Sequence, residues 1–240
     1  MPFDWIVPDW PAPKHVGALI TTRNGGFSHG AFASLNLGDH VGDDPLAVAS
    51  NRAALRSYLP ANPLWLQQIH SNRVIEACAS GAQADASMTR TPNVVCAVLS
   101  ADCLPVLLCD VQSTAVAVAH AGWRGLAAGI LENTVAALQV PAKRLLAYLG
   151  PAIGVAHYQV GEEVRRAFLA QERNAGVAFF RDEGGKWRAD LPKLARHRLA
   201  ALGVERIWGG HDCTAADSDR FFSYRRDGPT GRMASLIWLE

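Results

Sequence analysis

Three apolar segments that lie close together in the chain constrain its fold most strongly. They span residues 94–99, 105–109 and 115–119, are rich in Val, Leu and Ala, and each predicts a buried β-strand. The connections between them are about five residues long, which is too short for a crossover helix. Because strands joined in this way are antiparallel neighbours, the sequence predicts that these three lie side by side.

Helical and extended segments alternate along the rest of the chain. Asp44 followed by Pro45 is typical of a helix start and predicts a helix that continues to about residue 58. Further helices are predicted over 126–138, 161–171 and 191–202, and strands over 16–22, 64–69, 74–77, 145–149, 206–209 and 233–239. Since no linker or repeat interrupts this order, we expect residues 1–240 to form a single α/β domain with a mixed β-sheet between helices.

Composition and charge exclude several classes of protein. The formal net charge of +1 argues against a nucleic-acid partner, and no apolar stretch approaches the ~18 residues of a membrane span. The five cysteines are odd in number and form no C-x-x-C pair, which favours a reducing compartment. Without a signal-like amino terminus, the chain is predicted to be cytoplasmic. The sequence leaves its oligomeric state open.

His70, Cys103 and His120 each follow or end an apolar run. Strands that end in reactive side chains bring distant residues to one edge of a sheet. One thiolate and two imidazoles are a natural donor set for zinc, with a fourth position open to water or substrate, and copper is a possible substitute. The same residues also suit a cysteine nucleophile with a histidine base. Because their spacing matches no local zinc-finger pattern, both interpretations stay open.

Polar residues close to these three extend the candidate site. Asp102 precedes Cys103 in a short turn, where it would orient a metal ligand or carry a proton. Gly122 and Gly125 follow His120 and permit close approach of the backbone at the start of a helix, an arrangement that suits anions.

Arginines at two places are candidates for binding an anionic substrate. Arg23 ends the strand at 16–22 and is followed by a Gly-rich loop, so it forms either a surface salt bridge or a phosphate clamp. Residues 219–228 alternate in aromatic side chains and predict an edge strand. Their Arg225 and Arg226 are either solvated or contact the substrate, and the residues alone leave both possibilities open.

Ordered motifs along nearly the whole chain resemble one known family. They include 21–28 (TTRNGGFS), 34–38 (SLNLG), 67–70 (QQIH), 84–86 (ADA), 101–105 (ADCLP), 119–125 (AHAGWRG), 221–228 (FFSYRRDG) and 230–234 (TGRMA). In these motifs the chain is similar to the laccase-domain or polyphenol-oxidase-like proteins, the YfiH-like family of purine nucleoside phosphorylases. The resemblance implies a three-layer αβα sandwich.

The resemblance also implies a function. Zinc would be bound by His70, Cys103 and His120, with Arg23 in the same pocket, and the enzyme would cleave adenosine, inosine, guanosine or methylthioadenosine with orthophosphate. The products would be the free base and ribose 1-phosphate or its methylthio derivative, and adenosine deaminase activity is implied as well. The residues predicted to bind substrate or phosphate are Arg23, Asn36, Arg225 and Arg226, and those predicted to be catalytic are Cys103, His120, Arg23 and Asp102.

Two other functions remain as alternatives. A copper-dependent polyphenol oxidase is suggested by the family's older name, but the eight histidines include no His-x-His pair of the kind that builds a multicopper centre. A cysteine hydrolase, with Cys103 as nucleophile and His120 as base, would edit peptidoglycan precursors.

Overall fold

The structure, a computed structural model, describes residues 4–240, and its centre is built of β-strands. In chain order the strands are β1 (Val16–Ile20), β2 (Pro63–Leu64), β3 (Val74–Glu76), β4 (Ala86–Thr89), β5 (Val95–Ser100), β6 (Leu104–Asp110), β7 (Val116–Ala121), β8 (Leu145–Leu149), β9 (Gln159–Val160), β10 (Phe179–Arg181), β11 (Trp187–Ala189), β12 (Arg206–Gly209) and β13 (Met233–Leu239). The helices are α1 (Pro45–Arg56), α2 (Trp123–Ala127), α3 (Ile130–Leu138), α4 (Glu162–Leu169), α5 (Leu191–Ala201) and α6 (Tyr224–Asp227).

The strands form two larger sheets and one small one. A six-stranded sheet has the order β12-β8-β6-β7-β4-β3, a four-stranded sheet has the order β1-β13-β5-β2, and β10-β11-β9 form the third. Both larger sheets are mixed, because β12–β8, β3–β4 and β2–β5 pair in parallel and the remaining neighbours are antiparallel. The predicted α/β class with mixed strand directions is confirmed.

Apolar side chains hold the two larger sheets face to face. Ile20, Val98 and Ile237 of the four-stranded sheet share one buried cluster with Leu107 and Val118 of the six-stranded sheet. The opposite face of the six-stranded sheet packs against α3, α4 and α5, and the opposite face of the four-stranded sheet packs against α1. Helices thus cover the outer faces of both sheets. The expected three-layer αβα sandwich has a single sheet between its helices, whereas here two packed sheets form the β layer.

The short connections around β6 have two different outcomes. Strands β6 and β7 pair antiparallel from Leu104 opposite Ala121 to Cys109 opposite Val116, as predicted. The prediction that β5 and β6 are neighbours is wrong, because β5 lies in the other sheet between β13 and β2. The linking residues 101–103 span about 10 Å when extended, which is also the separation of stacked sheets. A connection this short can therefore step between sheets as well as turn within one.

Several predicted elements differ in detail from the observed ones. The helix start at Asp44 is confirmed, since its carboxylate accepts the Leu46 N–H at 3.0 Å. The helix expected over 126–138 is divided into α2 and α3 at Gly129, whose φ of 92° breaks the helical ladder. The strand expected over 64–69 is reduced to Pro63–Leu64. Residues 219–228 form no edge strand, and α6 occupies this segment instead.

The sequence predicts no signal peptide at the amino terminus, and residues 1–3 of that segment lie outside the described part of the chain. Within residues 4–240, none of the helices has the length and apolarity that crossing a membrane requires.

Asp110 stabilises the hairpin between β6 and β7. Its buried carboxylate accepts hydrogen bonds from the Thr114 hydroxyl and, at 2.9 Å, from Nε of Arg144, and it forms an ion pair with Nη2 of the same arginine. Burial raises the pKa of Asp110, but these donors outweigh that effect and hold the pKa below its ordinary value. The turn therefore helps to set the β6–β7 register, on which the far end of the hairpin depends.

Asp110→Asn is expected to destabilise the protein by about 3 kcal/mol, because it leaves Arg144 without its buried partner. The Asp110 carboxylate contributes fully to the free energy of unfolding above about 3.9, the pKa of an aspartate in the unfolded chain. This contribution is lost as the pH falls through the lower pKa that Asp110 has in the folded protein. Denaturant unfolding at pH 7 and at lower pH should thus show a difference between the two proteins that shrinks in acid. A difference that is independent of pH would contradict this role.

Candidate metal centre

Three donor side chains converge at one end of the β6–β7 hairpin. Cys103 lies where the chain steps between the sheets, directly before β6, and His120 lies in β7 opposite Pro105. His70 belongs to the loop before β3. The donor atoms of His70, Cys103 and His120 all lie within 4.8 Å of one another. Tetrahedral ligands with bonds of about 2.0–2.3 Å lie roughly 3.5 Å apart, so a small contraction of these side chains would bring all three donors onto one ion.

Gly122 allows the backbone to close over this cluster. A Cβ atom at this position would lie 2.9 Å from Cys103 Sγ and 3.3 Å from His70 Cδ2. Gly125 similarly approaches the Ser71 carbonyl, which would lie 2.7 Å from an added Cβ. Gly122 and Gly125 therefore permit the close approach of the backbone that the sequence predicts. Gly122 approaches the sulfur of Cys103 itself.

A buried carboxylate, Asp85, organises two of the three donors. One of its oxygens lies 3.0 Å from Nδ1 of His120, and it accepts the backbone N–H groups of His70 at 3.0 Å and Ser71 at 2.6 Å. His70 has a positive φ of 57°, a conformation that these hydrogen bonds stabilise. With Nδ1 facing Asp85, the Nε2 atom of His120 remains to bind a ligand, as in other carboxylate–histidine–metal arrangements.

The local electrostatics favour the charged forms of Cys103, His120 and Asp85. Burial raises the pKa of Cys103, but the neighbouring His120 and His70 outweigh it and lower the pKa to about 6. Burial lowers the pKa of His120, while Cys103 and Asp85 raise it to a net value of about 9. For Asp85, hydrogen bonds from His120 and Ser71 outweigh burial and lower its pKa to about 2. The thiolate, which is the form that binds metals, is therefore favoured near neutral pH.

The three side chains fit a divalent metal by their chemistry and their arrangement. A set of two imidazoles and one thiolate suits zinc or copper, and the carboxylate behind His120 is the outer partner that such ligands usually have. Across the described residues 4–240, this is the single group of three or more His, Cys, Asp or Glu side chains close enough to hold an ion.

The cluster forms part of the wall of a cavity of about 420 Å³, a size typical of small-molecule sites. The lining combines aromatic, basic and apolar side chains. Its residues are His40, Gln68, His70, Leu99, Ser100, Ala101, Asp102, Cys103, His120, Ile153, Tyr158, Tyr224, Arg225 and Arg232.

Asp102, which the sequence predicts to orient a metal ligand or carry a proton, lines the cavity, and its hydrogen bonds go to the cavity wall. The carboxylate accepts from the hydroxyls of Thr214 at 2.6 Å and Ser223 at 2.7 Å and from the backbone N–H of Arg225 at 2.7 Å. Ser223 caps α6, so Asp102 fixes this short helix at the mouth of the cavity. With three donors directed at it, Asp102 acts as an anchor for the wall.

Arg225 lines the cavity, whereas Arg23 and Arg226 do not. The Arg23 guanidinium donates to the carbonyls of Ala33 at 2.9 Å and Ser218 at 3.0 Å. Arg226 pairs with the neighbouring Asp227 at 2.7 Å and donates to nearby backbone carbonyls. Both arginines hold loops together close to the site.

Asn36 also lies outside the cavity lining. Its fully buried amide oxygen accepts the backbone N–H groups of Gly38 and Arg232, each at 2.9 Å, and its nitrogen donates to Asp43 at 2.9 Å. Asn36 thus positions the backbone next to Arg232 and makes no direct contact with the cavity.

The structure brings to the site several residues that the sequence motifs and spacings do not indicate. The principal ones are Asp85, Arg232, Tyr158 and Tyr224. The sequence around Asp85 does indicate a special role. An acidic residue between two alanines, directly before a strand, is expected to be buried and to need a partner for its charge. Arg232 lies in the TGRMA motif but far in sequence from the other site residues, so that only the folded chain shows its position.

Comparison with known proteins identifies the family. The family described as multi-copper polyphenol oxidoreductase laccase matches residues 17–240. The chain belongs to this family. The resemblance that the motifs indicated is therefore confirmed.

Relatives from several bacteria match over almost their whole length. Purine nucleoside phosphorylase PA4543 of Pseudomonas aeruginosa is 53% identical, and purine nucleoside phosphorylase YfiH of Escherichia coli is 52% identical, each alignment covering 98% of both chains. Among solved structures, Neisseria meningitidis protein NMB0706 has a TM-score of 0.96 at 53% identity and covers 99% of this chain and 100% of its own. YlmD from Geobacillus stearothermophilus has a TM-score of 0.93 at 30% identity and covers 100% of this chain and 97% of its own.

Asp85→Asn is expected to weaken metal binding by roughly 10- to 100-fold, because the amide no longer favours the required ring orientation and tautomer of His120. Competition with a chromophoric chelator measures the affinity. Asp182→Asn is the matched control, since it also replaces a largely buried carboxylate, one that accepts hydrogen bonds from the Gln159 side chain and the Lys186 N–H, but lies outside the cluster. Equal metal affinity in Asp85→Asn and wild-type protein would refute this role of Asp85.

Proposed function

We propose that this protein is a metal-dependent purine nucleoside phosphorylase. The proposal is carried by the His70–Cys103–His120 cluster in a cavity of about 420 Å³, in a chain whose relatives at about half identity are named for this activity. An oxygen of orthophosphate attacks the anomeric carbon of the ribose. The bond to the purine nitrogen breaks, its electron pair leaves with the base, and the base takes up a proton. The products are the free base and ribose 1-phosphate.

The cofactor in this proposal is zinc, bound by His70, Cys103 and His120. When bound, zinc supplies a Lewis acid that polarises an oxygen of the substrate and can activate water at neutral pH. Copper binds nitrogen and sulfur ligands at least as tightly and would be a substitute in copper-rich preparations. If water instead attacks C6 of the adenine ring and ammonia leaves, the same site would support adenosine deaminase activity.

Residues of the cavity wall meet the chemical needs of this reaction. Arg225 presents a positive charge to the dianionic phosphate, and its guanidinium lies 5.3 Å from the ring centre of Tyr158. Burial raises the pKa of Tyr158, so its hydroxyl keeps its proton and remains a hydrogen-bond donor. Tyr224 offers a flat, 58% exposed ring at the cavity mouth, a suitable partner for a purine base.

The substrates and the compartment follow from this activity. The proposed nucleosides are adenosine, inosine, guanosine and methylthioadenosine, which share a purine and a ribose ring and would occupy one cavity. The described cysteines are all free thiols, which is the state expected of the cytoplasm, the location that we propose. Residues 1–240 would act there as one catalytic domain.

Turnover of adenosine or inosine by the purified protein should require orthophosphate and produce ribose 1-phosphate together with free base. Chromatographic product analysis with and without phosphate, with oxygen uptake recorded in parallel, tests the reaction class. Cys103→Ala serves as the control, since it removes the sulfur ligand and should abolish turnover while leaving the protein folded. Release of free ribose regardless of phosphate would refute the phosphorylase, and oxygen consumption would indicate an oxidase.

A cysteine hydrolase is the second candidate, and one observation favours it. The Cys103 thiol contacts His120, and His120 in turn contacts the Asp85 carboxylate. A nucleophile, a base and an orienting carboxylate contact one another in the same order in hydrolases. Such an enzyme would act through a covalent intermediate on Cys103, for example on an amide bond of a peptidoglycan precursor.

Thiol alkylation separates the two candidates. If Cys103 is a metal ligand, added zinc should protect it from iodoacetamide, and the chelator-treated protein should react readily at this position. Peptide mass spectrometry measures the modified fraction, with the exposed Cys78 as an internal reference for reagent activity. A Cys103 that remains equally reactive in the presence of zinc would support the hydrolase.

A further inference from the structure

Arg232 lines the same cavity as the metal-binding cluster, and neither its sequence position nor its neighbours in the chain single it out. We propose that Arg232 is the principal binding residue for a tetrahedral oxyanion in this cavity, and that this oxyanion is orthophosphate. The identity of the anion as the second substrate rests on the phosphorylase function proposed above.

The backbone and stem of Arg232 are held in place. Its N–H donates to Oδ1 of the buried Asn36 at 2.9 Å, directly before β13 begins. Its Cγ packs so closely on Gly38 that a Cβ there would lie only 2.8 Å away. Gly38 and Asn36 both belong to the SLNLG motif, so this motif shapes the base of the Arg232 side chain.

The guanidinium is only partly used by the protein. Nη1 donates to the carbonyls of Thr230 at 2.8 Å and Gly231 at 3.0 Å. Within residues 4–240, Nε and Nη2 have no hydrogen-bond partner, and no carboxylate forms an ion pair with Arg232. An arginine fixed at one nitrogen, with further donors available, is prepared for a planar interaction with two oxygens of one anion.

The position of the charge is consistent with an anion beside the metal cluster. Burial lowers the pKa of Arg232, while Cys103 and Asp102 act in the opposite direction, which places the guanidinium within electrostatic reach of the cysteine. A partly buried cation that no carboxylate pairs with directly is costly, and a bound oxyanion reduces that cost. Arg225 adds a second positive charge to the same wall.

This assignment replaces the sequence-based expectation that Arg23 clamps phosphate. The Arg23 guanidinium faces the ring of Phe222 at 4.8 Å and donates to Ala33 and Ser218, away from the cavity lining. Arg232 therefore fits the phosphate-clamping role that the sequence predicts for Arg23.

Isothermal titration of the metal-loaded protein with inorganic phosphate tests the proposal directly. Arg232→Ala should weaken phosphate binding by roughly 10- to 100-fold, and Arg232→Lys, which keeps the charge without the planar donors, should fall in between. Arg196→Ala is the matched control, because Arg196 is also partly buried and donates to two backbone carbonyls, those of Ile207 and Gly209, but lies outside the cavity. Metal content is measured on every sample and should be unchanged.

The outcomes separate this inference from the proposed function. Unchanged phosphate affinity in both Arg232 variants, equal weakening in Arg196→Ala, or no phosphate binding by the wild-type protein would overturn it. If a nucleoside 5′-monophosphate depends on Arg232 and orthophosphate does not, the anion is a phosphoryl group of another substrate and the assignment is also wrong. Arg232-dependent phosphate binding without ribose 1-phosphate formation would refute the phosphorylase and leave the anion site standing.

Discussion

The buried carboxylate of Asp85 is the interaction on which the arrangement of the site depends. It lies immediately before β4, contacts Nδ1 of His120 in the neighbouring β7, and accepts backbone hydrogen bonds from the loop that carries His70. A fully buried carboxylate is tolerable only if donors surround it, so the fold must bring strand and loop together to satisfy it. The same requirement places two imidazoles beside the cysteine.

Cys103 reaches the site by a different route, through the step of the chain between the two packed sheets. The β6–β7 register places it close to His120, and Asp110 stabilises the turn at the other end of this hairpin. The mutual attraction of thiolate and imidazolium then favours the charged pair despite burial. Arg232, which lies in the TGRMA motif directly before β13, supplies the positive charge that an anionic substrate requires.

The sequence predicts the local elements and the chemistry of the donors better than the way the sheets assemble. Apolar runs define β5, β6 and β7, and the residue types at the ends of such runs predict the cluster of His70, Cys103 and His120. A short connection does not distinguish a hairpin from a step between sheets, so the sequence wrongly predicts β6 as a neighbour of β5. Arg23 and Arg232 both follow or precede a strand, and only tertiary packing determines which one lines the cavity.

The central claim is that His70, Cys103 and His120, organised by the Asp85 carboxylate, bind the metal. X-ray absorption and anomalous diffraction on the protein as purified test this claim most directly. The account predicts about one metal per chain at this cluster, with one sulfur ligand, two imidazole nitrogens and one lighter ligand, and with Asp85 against Nδ1 of His120. A metal bound without sulfur, or an anomalous peak elsewhere in the chain with this cluster metal-free, would contradict it.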